Sequence, residues 1–118
     1  MPPLPPAVHA ALAEARLGLS RLYGDRLAKA VLYGSHARGE AGPESDLDVL
    51  VVLDDPVEDY AEIKRLVPLA MALWERHGVD LHLMPFSAAR YADAAHPLVR
   101  NVRAEGVELP AETRAAAA

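Results

Sequence analysis

Four residues in the first half of the chain could do chemistry together: Gly34, Ser35, Asp46 and Asp48. Gly34 and Ser35 follow the apolar run Ala30–Tyr33, and Asp46-Leu47-Asp48 opens the run Val49–Leu53. The length and β-branched content of the runs read as buried strands, and Arg38, Gly39, Gly42 and Pro43 between them read as a turn. Side chains at i and i+2 of a strand leave the same face, about 6.5–7 Å apart at the backbone. Two carboxylates so placed repel unless a cation lies between them. A pair of Mg²⁺ ions about 3.5–4 Å apart, bridged by carboxylate oxygens, fits that span. Gly34 lets backbone approach a ligand closely, and Ser35 adds a hydroxyl beside free N–H groups if a short helix begins there, a natural place for phosphate. Metal on one side and a phosphate cradle on the other suggest a nucleoside triphosphate.

These residues need elements to hold them. Pro5 or Pro6 suits the first turn of a helix whose stripe is Val8, Leu12, Ala15, Leu19 and Leu22, ending near Gly24, with Gly18 a weak spot. The first strand is expected over about Lys29–Tyr33 and the second over about Asp46–Leu53. Asp54-Asp55-Pro56 makes a turn. Glu58–His77 reads as a helix with Ile63, Leu66, Ala70, Leu73 and His77 on one face and Val67 and Trp74 beside them. Pro68 should kink or split it, and Gly78 should end it. Val79–Met84 alternates as a third strand closed by Pro85, placing Asp80, His82 and Met84 on one face and Leu81 and Leu83 on the other. Ser87 can cap a short helix over Ala88–Ala92, a last helix runs from about Leu98 to Glu105 before Gly106, and Val107–Leu109 can add an edge strand. Residues 1–110 are expected to form one domain and 111–118, rich in alanine, a mobile tail.

Bulk properties narrow the classes. A chain of 118 residues is long enough for one domain with a real core, and 52% hydrophobic residues is ordinary for a globular protein. A net charge of −5 argues against a generic electrostatic grip on nucleic acid. With no cysteine there is neither a disulfide framework nor a zinc–thiolate site nor a thiol nucleophile. No apolar run reaches membrane-span length, and the N-terminus lacks a signal-peptide pattern, so the expected location is the cytoplasm.

Other residues compete for roles. Arg38 lies one helical turn after Ser35, close enough to meet phosphate oxygens, and could equally pair with Glu40 or Glu44. His36 and His82 are candidate general bases, although such residues are more often at a surface or edge; His82 shares a face with Asp80. Tyr33 is expected to pack under the loop, and Asp54, Asp55, Glu58 and Asp59 to be a solvated turn and helix start. A calcium loop is excluded because its third acidic position and its glycine are missing, Val49 and Leu50 following Asp48, and no Gly-Lys-Ser/Thr is present for a Walker A loop.

Gly34-Ser35, then the ten residues His36–Ser45, then Asp46-Leu47-Asp48, resembles the signature of the DNA polymerase β-type nucleotidyltransferase superfamily, in particular its minimal nucleotidyltransferase (MNT) members. Ala37-Arg38-Gly39 and Ser45 also match frequent features of that group. The resemblance implies an α+β fold: a small mixed sheet with helices mainly on one face and the active site on the other. It implies Mg²⁺-dependent transfer of a nucleoside monophosphate, AMP from ATP (or another nucleoside triphosphate), to a hydroxyl, with release of pyrophosphate. Asp46 and Asp48 would hold both ions, Asp80 from the next strand would complete the site, and Gly34, Ser35 and Arg38 would meet the phosphates. In that group the usual partner is a helical HEPN protein, often a ribonuclease toxin, which the nucleotidyltransferase neutralises as antitoxin by masking it or by adding AMP to its tyrosine. Two alternatives stay open: a non-catalytic nucleotide-binding module that acts by complex formation, and a small-molecule nucleotidyltransferase completed by a homodimer.

Overall fold

The computed structural model describes residues 4–42 and 45–110, so the expectation of a mobile tail over 111–118 lies outside the described residues. Helix α1 spans Pro6–Tyr23 with Pro6 at its first position, where a missing N–H costs nothing. A 3₁₀ turn, Gly24–Arg26, leads into strand β1, Leu27–Tyr33. A four-residue helix α2, Ser35–Arg38, precedes strand β2, Leu47–Leu53. Helix α3 spans Asp59–His77, strand β3 Leu81–Ser87, helix α4 Ala88–Tyr91, helix α5 Pro97–Glu105 and strand β4 Val107–Glu108.

The strands form one mixed sheet in the order β3-β2-β1-β4. β1 runs antiparallel to both β2 and β4, whereas β2 and β3 are parallel, with α3 as the crossover that parallel pairing demands. Leu47, Val49, Val51 and Leu53 of β2, with Ala30, Leu32 and Leu81, face α1 and α3. Val31, Leu50, Val52 and Phe86 face the other way and pack on Val99 and Val102 of α5. The two long helices thus cover one face, and the short C-terminal helices cover part of the other. β2 is buried on both faces apart from Asp48, which explains its unbroken apolar run.

Several expectations are corrected. In α1 the inward position near the end belongs to Tyr23, and Leu22 is exposed. Gly18 has a packing reason, since a Cβ there would come within 2.6 Å of Leu69 Cδ1 on α3. Pro68 does not divide α3, which is continuous across it; the residue lies on an exposed part of the helix. The inward side of α3 is Glu62, Leu66, Leu69 and Leu73, while Ile63, Val67 and Trp74 point out. Glu62 goes inward because it is partnered: Tyr23 Oη donates to it at 3.1 Å, and Arg26 and Arg65 donate at 3.1 and 3.2 Å. Burial, then Glu62, pushes the Tyr23 phenol well above its usual pKa.

Strand β3 also differs from expectation. Pro85 does not close it but lies inside it, opposite Val51. An edge strand tolerates proline because one side of its backbone has no ladder to serve. Asp80 therefore precedes β3 rather than opening it. Ser87 caps α4 as expected, its hydroxyl accepting from the Arg90 N–H at 3.0 Å.

Candidate active site

Three strand ends converge on one spot. β1 finishes at Tyr33, opposite Asp48 of β2, and Asp48 is level with His82 of β3. The Leu47 N–H donates to the Asp80 carbonyl at 2.9 Å, so the segments that carry Asp46 and Asp80 enter the sheet side by side. Their side chains meet around His82. Its Nε2 lies 3.4 Å from Asp46 Oδ2 and 3.8 Å from Asp80 Oδ2, and its Nδ1 lies 3.7 Å from Asp48 Oδ1. Ligand atoms of Asp46, Asp80 and His82 all fall within 4.8 Å of one another, and all three residues are exposed. Asp48 is more enclosed. Burial first, and the Asp46 carboxylate in the same direction, raise its carboxyl above the usual carboxylate range, against the opposing pull of His82.

This donor set suits a hard divalent cation. Carboxylate oxygens of Asp46 and Asp80 converge with a ring nitrogen of His82 on open space, Asp48 lies on the other side of the imidazole, and the repulsion among the carboxylates is what a cation would relieve. Asp46, Asp48 and Asp80 could hold such an ion, with His82 as a nitrogen donor beside them. His82, a candidate base that shares a face with Asp80, is set opposite Asp48 by the parallel register of β2 and β3, which brings it into the centre.

Gly34 adjoins this cluster. Its φ of +80° is one that side-chain-bearing residues rarely adopt, and a Cβ would collide with Asp48 Oδ2. Ser35 begins α2, whose end is tied back by Arg38 N–H to Gly34 carbonyl at 3.1 Å and Glu40 N–H to Ser35 carbonyl at 2.9 Å. Arg38 does not point freely toward the cluster. It donates to Glu40 at 2.7 Å and to Glu105 at 3.1 Å. Glu105 also accepts the Gly34 N–H at 3.3 Å. His36 is buried rather than exposed, with Nε2 3.3 Å from the Ser45 carbonyl, to which it donates in the Nε2–H tautomer. It braces the turn and is not presented as a base. Tyr33 is half-buried beneath the turn, and burial together with Asp48 raises its pKa.

On the side of α1 and α3, a cleft of about 600 Å³ opens beside Asp46 and Asp80, walled by His36, Trp74, His77 and Val79. Trp74 ends a row of exposed apolar residues along α3, namely Tyr60, Ile63, Val67, Met71 and Trp74. Periodicity alone could not separate this row from the buried one, because α3 is apolar around much of its circumference.

Comparison with known proteins agrees with this arrangement. The model of the nucleotidyltransferase domain family matches residues 12–105, and the chain belongs to that family. Among solved structures, a toxin–antitoxin structure determined with AMP-PNP is 24% identical, with 86% of this chain and 76% of that chain covered and a TM-score of 0.57. The toxin–antitoxin MntA-HepT is 21% identical, covering 88% and 73%, with a TM-score of 0.54. A protein of Sulfolobus solfataricus, solved as a candidate nucleotidyltransferase, is 16% identical, covering 92% and 89%, with a TM-score of 0.59. At these identities the likeness is one of fold: the α+β core expected from the sequence is the nucleotidyltransferase core. No curated protein matched in the corresponding search. Among the described residues, no helix is long and apolar enough to cross a membrane.

Proposed function

We propose that the protein transfers AMP from ATP to a hydroxyl on a partner protein, a tyrosine of a HEPN-type toxin, and so acts as the antitoxin of a two-component system in the cytoplasm. The observation that carries this is the meeting of Asp46, Asp48 and Asp80 around His82 beside Gly34. Membership of the nucleotidyltransferase family supports the reaction class, and the toxin–antitoxin neighbours, one determined with AMP-PNP, favour ATP and a protein partner.

In this reading Asp46, Asp48 and Asp80 hold Mg²⁺, and Gly34 and Ser35 hold the β- and γ-phosphates. Bound magnesium supplies charge neutralisation on the triphosphate and lowers the pKa of the acceptor hydroxyl. The acceptor oxygen attacks the α-phosphorus, the bond to the bridging oxygen breaks, and pyrophosphate leaves. The hydroxyl proton passes to Asp80, the most exposed of the three carboxylates. Gly34 keeps the triphosphate close to Asp48, and most of the rate enhancement comes from positioning and charge.

A protein acceptor is favoured by the surface around the site. The described residues are used almost entirely by the core, and the exposed row Tyr60–Trp74 on α3 leads to the rim of the Asp46–Asp80 cleft. An apolar strip of that kind suits a helical partner that presents its hydroxyl at the cleft.

Intact-mass analysis of the protein mixed with the product of the neighbouring gene, ATP and Mg²⁺ tests this. The expected result is one or more AMP additions on the partner, absent with Asp46→Asn/Asp48→Asn. A stable complex with no mass change would instead make this a non-catalytic binding module. Efficient turnover of a small alcohol by the isolated chain would refute the two-component reading.

A further inference from the structure

We infer that Glu105, at the far end of the chain, is a positioning residue of the phosphate-binding turn; this rests on the nucleotide reading above. Its Oε1 accepts from the Gly34 N–H at 3.3 Å and from Arg38 Nη1 at 3.1 Å, and so joins both ends of the Gly34–Arg38 turn. The two groups are 71 and 67 residues away in sequence.

The sheet explains why a side chain is needed there. β4 pairs Val107 with Leu32 and Glu108 with Val31. Continuing that register by two residues brings Gly34 level with Glu105, but residue 105 ends helix α5 and the ladder has stopped. The Gly34 N–H therefore meets the Glu105 carboxylate instead of a strand carbonyl. Glu105 has little freedom to be elsewhere. The following residue, Gly106, is pressed against β1 so closely that a Cβ would come within 2.7 Å of Val31 Cγ1, and Val99 and Val102 anchor α5 in the core.

The consequence is preorganisation. Glycine at positive φ carries the largest conformational freedom to lose, so without an anchor on its N–H more of the ordering of Gly34 would fall to nucleotide binding. Glu105 removes that cost in advance and keeps Arg38 turned onto the turn rather than into the site. Its carboxylate touches no reacting atom.

Calorimetry of the full chain in Mg²⁺, titrated with ATP and separately with AMP, tests this on Glu105→Ala and Glu105→Gln, with thermal melts alongside. The expected result is ATP affinity lowered about tenfold in Glu105→Ala, and AMP affinity, which needs no β- or γ-phosphate contact, lowered less than about twofold. Glu105→Gln keeps an oxygen for the Gly34 N–H and should lose less. Equal losses for ATP and AMP would mean a merely structural role and overturn the inference. So would unchanged ATP affinity in folded Glu105→Ala, or tighter ATP binding, which would mean that the carboxylate competes with phosphate. If wild type binds ATP normally, any of these sinks this inference alone. A wild type that binds no ATP sinks the nucleotide reading itself, and this inference with it.

Discussion

Gly34 and Asp48 leave no room between them for a methyl group: a Cβ on Gly34 would lie 3.3 Å from Asp48 Cγ and collide with Oδ2. Glycine at residue 34 and the carboxylate at residue 48 are therefore one structural unit. Gly34→Ala should cost about 1–3 kcal/mol through the backbone alone, because φ of 80° with ψ of −157° is a conformation that only glycine adopts readily. By displacing Asp48 it should also lower AMP transfer by about 10²-fold or more. Ser35→Ala removes one hydroxyl contact worth about 0.5–1.5 kcal/mol and should lower the rate at most about tenfold. Transfer rates of the two variants at matched folded fraction check the contrast, and equal losses would count against it.

Crowding of Asp46, Asp48 and Asp80 predicts opposite effects of one substitution on stability and on binding. Asp48→Asn should raise the melting temperature of metal-free protein, because it removes an enclosed carboxylate that burial and Asp46 both disfavour. The same change should weaken Mg²⁺-dependent ATP binding, and chelation with EDTA should abolish most ATP binding by the wild type. Melts in EDTA and titrations with and without Mg²⁺ read both. A lower melting temperature for Asp48→Asn, or ATP affinity indifferent to Mg²⁺, would contradict the site.

Glu62 holds α3 to the end of α1. Glu62→Ala leaves the Tyr23 hydroxyl without its acceptor and removes the partner of Arg26 and Arg65; a loss of about 2–3 kcal/mol is expected in urea denaturation. The Tyr23 phenol has a folded pKa raised above its unfolded value of 10.0. The unfolded chain then loses that proton first, so this contribution is intact below pH 10 and falls as pH rises beyond it. Tyr23→Phe should be less stable near neutral pH, and its stability should decline less steeply above pH 10. A wild-type profile no steeper than that of Tyr23→Phe would exclude the coupling.

Pro68 lies within a continuous helix, where it cannot donate the backbone hydrogen bond to residue 64. Because its side chain is exposed and the helix is already formed around it, Pro68→Ala should stabilise the protein by about 1–3 kcal/mol without changing nucleotide binding. A destabilised Pro68→Ala would mean that the proline ring makes a contact that helix propensity does not describe.

What the chain reveals without a structure is what is local. Gly34-Ser35 and Asp46-Leu47-Asp48 lie within fifteen residues of one another, and strand periodicity alone puts both carboxylates on one face. Helix ends at Gly24, Gly78 and Ser87 were legible for the same reason, since a cap is decided by its own residue and the next turn. The tertiary structure decided whatever depends on a distant neighbour. α3 is apolar around too much of its surface for periodicity to orient it; Tyr23, Arg26 and Arg65 settle that by drawing Glu62 inward. Pro85 ends a strand by propensity, yet continues one here because β3 lies at the sheet edge. His82 enters the acidic cluster only through its register with Asp48, and Glu105 reaches Gly34 only because α5 and β4 fold back along β1. Local conformation is set by backbone sterics and spacing over a few residues. Partners across the sheet are chosen by burial and pairing, and those terms exist only once the whole chain has packed.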